Sequence, residues 1–254
     1  MEPIFSEIKQ WLIEAGEIIK QTQRKTISVR EKSNRKDIVT NLDQKIQRFL
    51  IEKIQTFDSK AKILAEEDGQ NNLDDLTGRV FIIDPIDGTL NFVREGENFC
   101  IMVAVYEEGK GSAGFIYDVM KAELYWGGPS VGVYQNETKL LAPENISLQD
   151  GLLGINGYFY GHNCYNIRTI GDISLGIRIT GCAGLEMIAM LKGSHVGYIS
   201  KLCPWDYGAG CILLDVFNMR YSDFSGKKLQ FSGREYFLAG TPNAYEEMQR
   251  LLQF

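Results

Sequence analysis

Two carboxylates, Asp84 and Asp87, lie three residues apart in the stretch "VFIIDPIDGTLNFV", directly after the apolar run 80–83. Carboxylates crowded at the end of a strand disfavour each other's ionisation, and a divalent cation removes that penalty. Pro85 fixes its own φ and has no N–H to leave unpaired, so the chain can turn between the acids. Gly88 permits a positive φ or a close backbone approach. Acids beside free amides predict a site for a metal ion and an oxyanion, with a solvated capping turn as the alternative.

Acids also end two other segments. Glu66 and Glu67 close the apolar stretch "AKILAEE", and Asp206 lies in "CPWDYGAG", where a helix is expected to begin. Taken singly, these acids have ordinary explanations as a polar strand end and a helix N-cap. Together with the first pair, they put carboxylates at three points where the chain changes direction. Mg²⁺ favours such hard oxygen ligands, keeps several waters and uses few carboxylates plus substrate phosphate, so we expect a magnesium site.

Histidine and cysteine content disfavours other metals. The chain has two histidines, His162 and His195, and neither belongs to a metal-ligand motif, which argues against zinc or iron chemistry. The cysteines are odd in number and form no CxxC pair, which argues against structural zinc and a disulfide framework. We expect free thiols in a reducing cytoplasm at Cys100, Cys164, Cys182, Cys203 and Cys211.

Charge and hydropathy exclude two classes of partner. The net charge is −6 and the pI is near 5.1. The most basic stretch, 30–36, includes an acid and several polar residues, so a concentrated basic face for nucleic acid is not expected. Apolar stretches are too short to span a bilayer, and the acidic N-terminal segment does not resemble a signal peptide. We therefore expect a cytoplasmic protein with neither nucleic acid nor membrane as a partner.

Amphipathic helices and an antiparallel sheet are predicted for the first half of the chain. Apolar residues recur at helical spacing over 4–19 and 42–54, with Thr40 or Asn41 as the N-cap of the second helix. The polar link between them predicts a short hairpin or a mobile loop. Beyond it, the period changes to that of strands, which we place at 61–69, at 80–92 and in an antiparallel meander over 99–128.

The second half predicts alternating strands and helices. Strand patterns cover 151–155, 176–180 and 196–199, and helical patterns cover 183–192, 206–217 and 243–252. We expect two subdomains that share one interface, an N-terminal one with the acids (1–146) and a C-terminal one on the substrate side (147–254).

The chain resembles the inositol monophosphatase family of Mg²⁺-dependent, lithium-sensitive phosphatases over nearly its whole length. "IIDPIDGTLNFV" (82–93) is similar to the first family signature and "PWDYGAG" (204–210) to the second. The resemblance implies an α+β fold, a layered αβαβα sandwich of the inositol monophosphatase and fructose-1,6-bisphosphatase type, and a homodimer. Supporting segments are "KSNRKDIVTNLDQ" (32–44), "LAEE" (64–67) and "ITGCAGLEM" (179–187).

Two or three Mg²⁺ ions per active site are implied by the resemblance. Glu66, Asp84 and the carbonyl of Ile86 would hold the first ion. Asp84, Asp87 and Asp206 would hold the second, and a third, weaker ion would share Glu66 with water.

The resemblance also implies roles in hydrolysis. The amides of Gly88 and Thr89 would receive the phosphate, and Thr89 with Glu66, backed by Asp43, would orient and deprotonate the attacking water. Lys32 and Asp37 would lie in a mobile loop that helps to close the metal site. The implied substrate contacts are Asp87, Gly88, Thr89, Gly181, Cys182 and Asp206.

Departures from the family pattern leave the substrate open. Arg35 and Lys36 replace a proline-containing pair, Cys182 stands where Ser or Thr is usual, and 195–203 lacks an acid that some members use to grip inositol hydroxyls. We expect hydrolysis of inositol 1-phosphate or a related small polyol or sugar phosphate. The alternatives are the 2′-phosphate of NADP(H), 3′-phosphoadenosine 5′-phosphate and fructose 1,6-bisphosphate. A non-catalytic binding protein on the same fold is disfavoured, because the expected ligands Glu66, Asp84, Asp87 and Asp206 and the expected catalytic Thr89 are all present.

Overall fold

Helices and strands alternate along the chain in the structure, a computed structural model that describes residues 3–22, 28–34, 37–67, 73 and 75–253, with only the backbone of residues 33, 34, 37 and 38. The helices are α1 (Pro3–Thr22), α2 (Asn41–Phe57), α3 (Thr89–Arg94), α4 (Gly157–Gly161), α5 (Ile167–Ile173), α6 (Ala183–Leu191), α7 (Pro204–Val216) and α8 (Pro242–Leu251). The strands are β1 (Val29–Asn34), β2 (Asp37–Thr40), β3 (Lys62–Ala65), β4 (Arg79–Asp87), β5 (Cys100–Glu107), β6 (Lys110–Asp118), β7 (Glu123–Gly128), β8 (Gly132–Gln135), β9 (Thr138–Lys139), β10 (Leu152–Ile155), β11 (Gly176–Arg178), β12 (His195–Leu202), β13 (Arg220–Ser222) and β14 (Glu235–Gly240).

Two mixed sheets carry the site. The first has the order β3-β4-β5-β6-β7-β8-β9, with β3 parallel to β4 and antiparallel pairs beyond. The second has the order β11-β10-β12-β14-β13, with β10 parallel to both β11 and β12. The expected meander is therefore confirmed as β5, β6 and β7, and β8 and β9 extend it.

The expected αβαβα arrangement is confirmed, and hydrophobic clusters between its helix and sheet layers hold it together. α1 and α2 cover one face of the first sheet, where Phe81 and Ile83 of β4 are buried. Val80 and Ile82 of the same strand point to the opposite face, onto α6, α7 and the second sheet. A third cluster packs α4, α5 and α8 on the outer face of the second sheet. Because both faces of β4 are covered, its sequence is a continuous apolar run.

The N-terminal part of α2 is fixed by a capping box. Thr40 is the N-cap, as expected, and its side chain accepts the N–H groups of Leu42 and Asp43 while Asp43 accepts the N–H of Thr40. β1 and β2 pair antiparallel before it, so the expected hairpin is present in the described residues. Arg35, Lys36 and the side chain of Asp37 lie outside the part that the structure describes.

The predicted strand at 80–92 is wrong in its second half. β4 ends at Asp87, and α3 begins at Thr89 after Gly88, whose φ is +86°. Periodicity cannot detect a helix of this length, which is set by the glycine turn and by packing. The short helices α4 and α5 were not predicted for the same reason, and the strands β13 and β14 were not predicted either. The proposed subdomain boundary stays a prediction.

Contact between α7 and the first sheet is close because β6 has a glycine there. A Cβ at Gly114 would lie 2.5 Å from the carbonyl oxygen of Ala209. Gly114→Ala should lower the free energy of unfolding by about 1–3 kcal/mol, because backbone on both sides must move apart. Urea denaturation measures this change.

Gly161→Ala is the matched control, since an added Cβ there meets nothing within 4 Å. We expect it to be neutral or stabilising by up to about 1 kcal/mol, because Gly161 lies in α4. Equal effects of the two substitutions would contradict close packing at Gly114.

Candidate active site

Three carboxylates converge between the two sheets. One oxygen from each of Asp84, Asp87 and Asp206 lies within 4.8 Å of the others. The first two acids come from the end of β4 and the third from the first turn of α7. Asp84 and Asp87 are only 1% and 8% exposed, so their charges are poorly solvated. The structure thus brings together acids that the sequence places far apart.

An irregularity in β4 explains why Asp84 and Asp87 reach the same side. Residues three apart in a regular strand point to opposite faces. Here Asp84 pairs with Met102 and Asp87 with Cys100, so the register shifts between the two acids. An extra residue of this kind re-aims side chains, and Pro85, which cannot donate to a ladder, lies within it.

Local hydrogen bonds hold each of the three carboxylates. Asp84 Oδ1 accepts the N–H of Ile86 at 3.0 Å. Asp206 Oδ2 accepts the N–H of Cys203 at 2.7 Å, which caps α7. Asp87 Oδ2 accepts the N–H of Gly184 at 2.6 Å, where α6 begins.

Cys182 supports Asp87 in a way that sequence reasoning missed. Its Sγ lies 3.1 Å from Asp87 Oδ2, as a thiol donor to the carboxylate. The thiol of Cys100 is 3.6 Å from the same oxygen. The sequence analysis expected a substrate contact at Cys182 and no contact between its thiol and Asp87.

Burial and mutual repulsion favour protons on the three acids. Burial raises the pKa of Asp84 well above its usual value, and the neighbouring charges of Glu66 and Asp87 raise it further. Burial followed by the charge of Asp87 raises the pKa of Asp206 to about 8. Burial also raises the pKa of Asp87, although the hydrogen bonds from Gly184 and Cys182 oppose this. A bound cation would take the place of those protons.

Glu66 and Glu67 face Lys32, which the β1–β2 hairpin brings to the site. Lys32 Nζ lies 2.7 Å from Glu66 Oε1 and also bonds to Glu67 Oε1. Burial and the charge of Glu66 raise the pKa of Glu67 to about 7 despite this ion pair. Lys32 therefore provides positive charge at the same edge of the site.

Asp43 and Thr89 form the expected pair. Thr89 Oγ1 lies 3.2 Å from Asp43 Oδ1 and 3.0 Å from the carbonyl oxygen of Ile86, and the hydroxyl can donate to either. Asp43 is buried and its Oδ2 accepts the N–H of Thr40 at 3.0 Å. Burial raises the pKa of Asp43 to about 6. The capping box of α2 thus fixes a carboxylate behind Thr89.

A cavity of about 280 Å³ opens beside these groups. Of the residues predicted from the sequence, it is lined by Glu66, Asp87, Gly88, Thr89, Gly181, Cys182 and Asp206. Residues that were not predicted also line it, among them Asn156, Glu186, Ser200, Lys201 and Arg234.

Glu186 is a buried acid that lines the cavity. It could have been found from the sequence, because it is the single charge in the apolar stretch "AGLEMIAML". Its Oε1 accepts the hydroxyl of Thr180 at 2.9 Å, and its Oε2 lies 2.9 Å from His195 Nδ1. Lys201 lies in β12, and Arg234 directly precedes β14, a strand that the sequence pattern did not show.

The donor set fits a hard divalent cation. The converging atoms are carboxylate oxygens, which Mg²⁺ favours. Within the described residues, neither Asp84 nor Asp87 has a Lys or Arg within ion-pair distance. Buried carboxylates without a cationic partner are the groups that a metal ion stabilises.

Comparison with known proteins identifies the family. The model of the "Inositol monophosphatase family" matches residues 1–253. Inositol-1-monophosphatase of Bacillus subtilis (strain 168) is 37% identical over 247 residues, which cover 94% of this chain and 92% of that protein. The chain belongs to the inositol monophosphatase family. It is therefore a phosphatase that hydrolyses phosphomonoesters, and its family is metal-dependent. Another relative, fructose-1,6-bisphosphatase/inositol-1-monophosphatase of Thermotoga maritima, is 30% identical over 213 residues, covering 84% of this chain and 81% of that protein.

Solved structures of inositol monophosphatases share the fold. Staphylococcal IMPase-I complexed with products superimposes with a TM-score of 0.92 at 26% identity, covering 99% of this chain and 95% of that chain. An IMPase/NADP phosphatase complexed with Mg²⁺ and phosphate superimposes with a TM-score of 0.90 at 26% identity, covering 98% and 94%. None of the helices in the described residues has the length and apolar character to cross a membrane.

The raised pKa values predict how pH acts on the metal-free protein. Asp43, Glu67 and Asp206 have folded-state pKa values of about 6, 7 and 8, against about 4 in an unfolded chain. Between about pH 4 and pH 8 the folded state therefore binds more protons than the unfolded state. The contribution of these three groups to the free energy of unfolding is fully present below about pH 4 and is lost as the pH rises towards about 8. Mg²⁺ should offset the loss, so the rise in Tm on adding Mg²⁺ should grow from pH 5 to pH 8.

Thermal unfolding in EDTA and in Mg²⁺ across this pH range tests the prediction. The difference between the two Tm values cancels groups that titrate far from the site. A rise in Tm that is constant or shrinks with pH would contradict it.

Proposed function

We propose that this family member is a Mg²⁺-dependent phosphomonoesterase that hydrolyses inositol 1-phosphate or a related small polyol or sugar phosphate. The observation that carries the proposal is the convergence of Asp84, Asp87 and Asp206 beside a cavity of about 280 Å³. This size suits a compact ligand, since it lies near the low end of the usual range of about 300–1,000 Å³. The Mg²⁺ and phosphate in the IMPase/NADP phosphatase structure support the choice of metal.

The chain provides carboxylates for two or three ions. Glu66, Asp84, Asp87 and Asp206, with the carbonyl of Ile86, would hold them. Bound Mg²⁺ would supply Lewis acidity towards phosphate and make hydroxide available near neutral pH.

Gly88 and Thr89 would receive the phosphate. Both line the cavity, and the first N–H groups of a helix have no partner within it. A Cβ at Gly88 would lie 3.1 Å from Asn98 O and from Cys182 Cβ, and its φ is +86°. A side chain at 88 would therefore push the turn away from the anion.

Thr89 would orient the attacking water and pass on its proton. Its hydroxyl is held between Asp43 and the carbonyl of Ile86. Glu66, which also lines the cavity, would share this role. Asp43 does not line the cavity and would act through Thr89.

The alternative substrates stay open within the same chemistry: the 2′-phosphate of NADP(H), 3′-phosphoadenosine 5′-phosphate and fructose 1,6-bisphosphate. The names of the Thermotoga and IMPase/NADP phosphatase relatives make two of these reasonable to test. A homodimer and a cytoplasmic location also remain part of the proposal.

Phosphate release from inositol 1-phosphate and from the three alternative substrates tests the function. Each compound is assayed with EDTA, with Mg²⁺ and with Mg²⁺ plus Li⁺. We expect release that needs Mg²⁺ and falls with Li⁺.

Asp87→Asn should lower kcat by more than about 100-fold, since removing even an outer partner of a metal ligand costs about 10- to 100-fold. Asp215→Asn, the same change at an exposed position of α7, is the control and should retain activity. Mg²⁺-independent release, or full activity of Asp87→Asn, would defeat the proposal.

Thr89→Val should lower kcat by about 10²- to 10⁴-fold with little change in KM, because the methyl group cannot take part in proton transfer. Thr89→Ser keeps the hydroxyl and should restore most of the activity. Steady-state kinetics on one substrate compare the three proteins. Similar losses for Val and Ser would instead indicate that Thr89 acts through packing.

A further inference from the structure

We propose that Asp87, Cys100 and Cys182 form a second kind of metal site, which takes a thiophilic divalent cation such as Zn²⁺ and lowers the affinity of the enzyme for Mg²⁺. One oxygen of Asp87 and the two sulfurs lie within 4.8 Å of one another. The two cysteines are 82 residues apart, so no sequence motif predicts this site. Binding of the cation does not depend on the proposed function, whereas its effect on turnover rests on it.

The three atoms form a triangle close to one face of a zinc tetrahedron. The two sulfurs are 3.7 Å apart, and Asp87 Oδ2 lies 3.6 Å from Cys100 Sγ and 3.1 Å from Cys182 Sγ. A tetrahedral ion with Zn–S bonds of about 2.3 Å and a Zn–O bond of about 2.0 Å requires about 3.8 Å between the sulfurs and about 3.5 Å between sulfur and oxygen. The edge between Asp87 and Cys182 would have to lengthen by a few tenths of an ångström.

Regular elements hold the two thiols beside Asp87. Cys100 begins β5 and pairs with Asp87 of β4, and Cys182 is the N-cap residue of α6. A Cβ at Gly184 would meet the sulfurs of Cys100 and Met102, so the glycine leaves room for the thiols where α6 approaches β5. Ligands that are already positioned lose little conformational entropy when an ion binds.

Two sulfurs and one carboxylate oxygen favour Zn²⁺ over Mg²⁺. Thiolates are soft ligands that bind zinc, whereas Mg²⁺ is coordinated by oxygen. Cys100 and Cys182 are buried, and burial raises the pKa of Cys182 to about 12, so the thiols carry protons until an ion displaces them. Zn²⁺ binding would release two protons to bulk water, and the net charge of the buried group would not change.

The active-site cavity gives the ion a route and a fourth ligand. Asp87 and Cys182 both line this cavity of about 280 Å³. A water molecule from the cavity would complete the tetrahedron, as in zinc sites that have three protein ligands and one open position. The ion can therefore reach the thiols without unfolding of the protein.

Asp87 connects this site to the proposed magnesium site. It belongs to both groups of converging ligand atoms, one with Cys100 and Cys182 and the other with Asp84 and Asp206. Two cations on one carboxylate repel each other. Zn²⁺ should therefore weaken Mg²⁺ binding, and by reciprocity Mg²⁺ should weaken Zn²⁺ binding by the same factor.

Spectroscopic titration of the full-length enzyme with Co²⁺ tests the site without relying on turnover. Cobalt bound to thiolate gives a strong charge-transfer band in the near ultraviolet, and cobalt bound only to oxygen gives none. Mg²⁺ is present throughout, so that the carboxylate cluster is already occupied. We expect the band to saturate at one Co²⁺ per chain and to disappear when Zn²⁺, which binds such ligands more tightly, displaces the cobalt.

Cys100→Ser and Cys182→Ser each remove one sulfur at nearly constant size. Each should weaken Zn²⁺ binding by more than about 100-fold, since removing even an outer partner of a metal ligand costs about 10- to 100-fold. Cys164→Ser is the matched control, because this partly buried thiol packs in the outer cluster with α4, α5 and α8. It should leave the band and the Zn²⁺ affinity unchanged, and thermal unfolding shows whether each variant is folded.

Phosphate release measures the coupling between the two sites. Zn²⁺ should raise the Mg²⁺ concentration needed for half-maximal activity by about tenfold, within the usual range of couplings between sites. A zinc-selective chelator should reverse the shift. The shift should shrink in Cys100→Ser and persist in Cys164→Ser.

No band in the wild-type enzyme at saturating Co²⁺, or a band that persists in both Cys100→Ser and Cys182→Ser, would overturn the site. Zn²⁺ binding without a Co²⁺ band would place the ion on carboxylates and would overturn it as well. A band without phosphate release from any substrate would uphold the metal site while the proposed function fails. A band without a shift in the Mg²⁺ requirement would overturn the coupling through Asp87.

Discussion

Repulsion among crowded carboxylates is the constraint on which the rest of the structure depends. Asp84, Asp87 and Asp206 bring oxygens within 4.8 Å of one another in a largely buried place. Charges so close and so poorly solvated cannot all exist without protons or cations. In the metal-free protein, burial and the neighbouring charges raise the pKa values of Asp84 and Asp206 and so favour protons in that role, and Lys32 gives positive charge to the neighbouring Glu66. Carboxylates that can all ionise only when a cation balances their charge are suited to bind a metal ion, and through it a phosphate.

The fold holds this unfavourable cluster by anchoring it in rigid elements. β4 is buried on both faces and ends in a register shift that turns both of its acids to one side. α7 presents Asp206 from its capped first turn, and the N-terminal part of α6 donates to Asp87. The two sheets meet through α6 and α7, so packing in the central cluster fixes the distance between the acids.

Much of this arrangement could be predicted from the sequence, and the exceptions share a cause. Long helices such as α1 and α2 show their period, and the spacing of Asp84 and Asp87 indicated the metal chemistry directly. The short α3 depends on the positive φ of Gly88, which no apolar period shows. Lys201 and Arg234 both line the cavity, but the sequence pattern does not show β14, which begins directly after Arg234 and pairs with β12. Cys182 was expected only as a substrate contact, but its thiol also donates to Asp87 because α6 begins beside the end of β4.

The central claim is that these carboxylates are a binding site for cations, and a crystal structure grown with Mn²⁺ in place of Mg²⁺ tests it most directly. The account predicts anomalous-scattering peaks at metal–oxygen distances, roughly 2.0–2.3 Å, from Asp84, Asp87 and Asp206. It also predicts that Lys32 withdraws from Glu66 as that carboxylate becomes a ligand. Ordered carboxylates with no peak between them at saturating Mn²⁺, and Lys32 still paired with Glu66, would contradict the account.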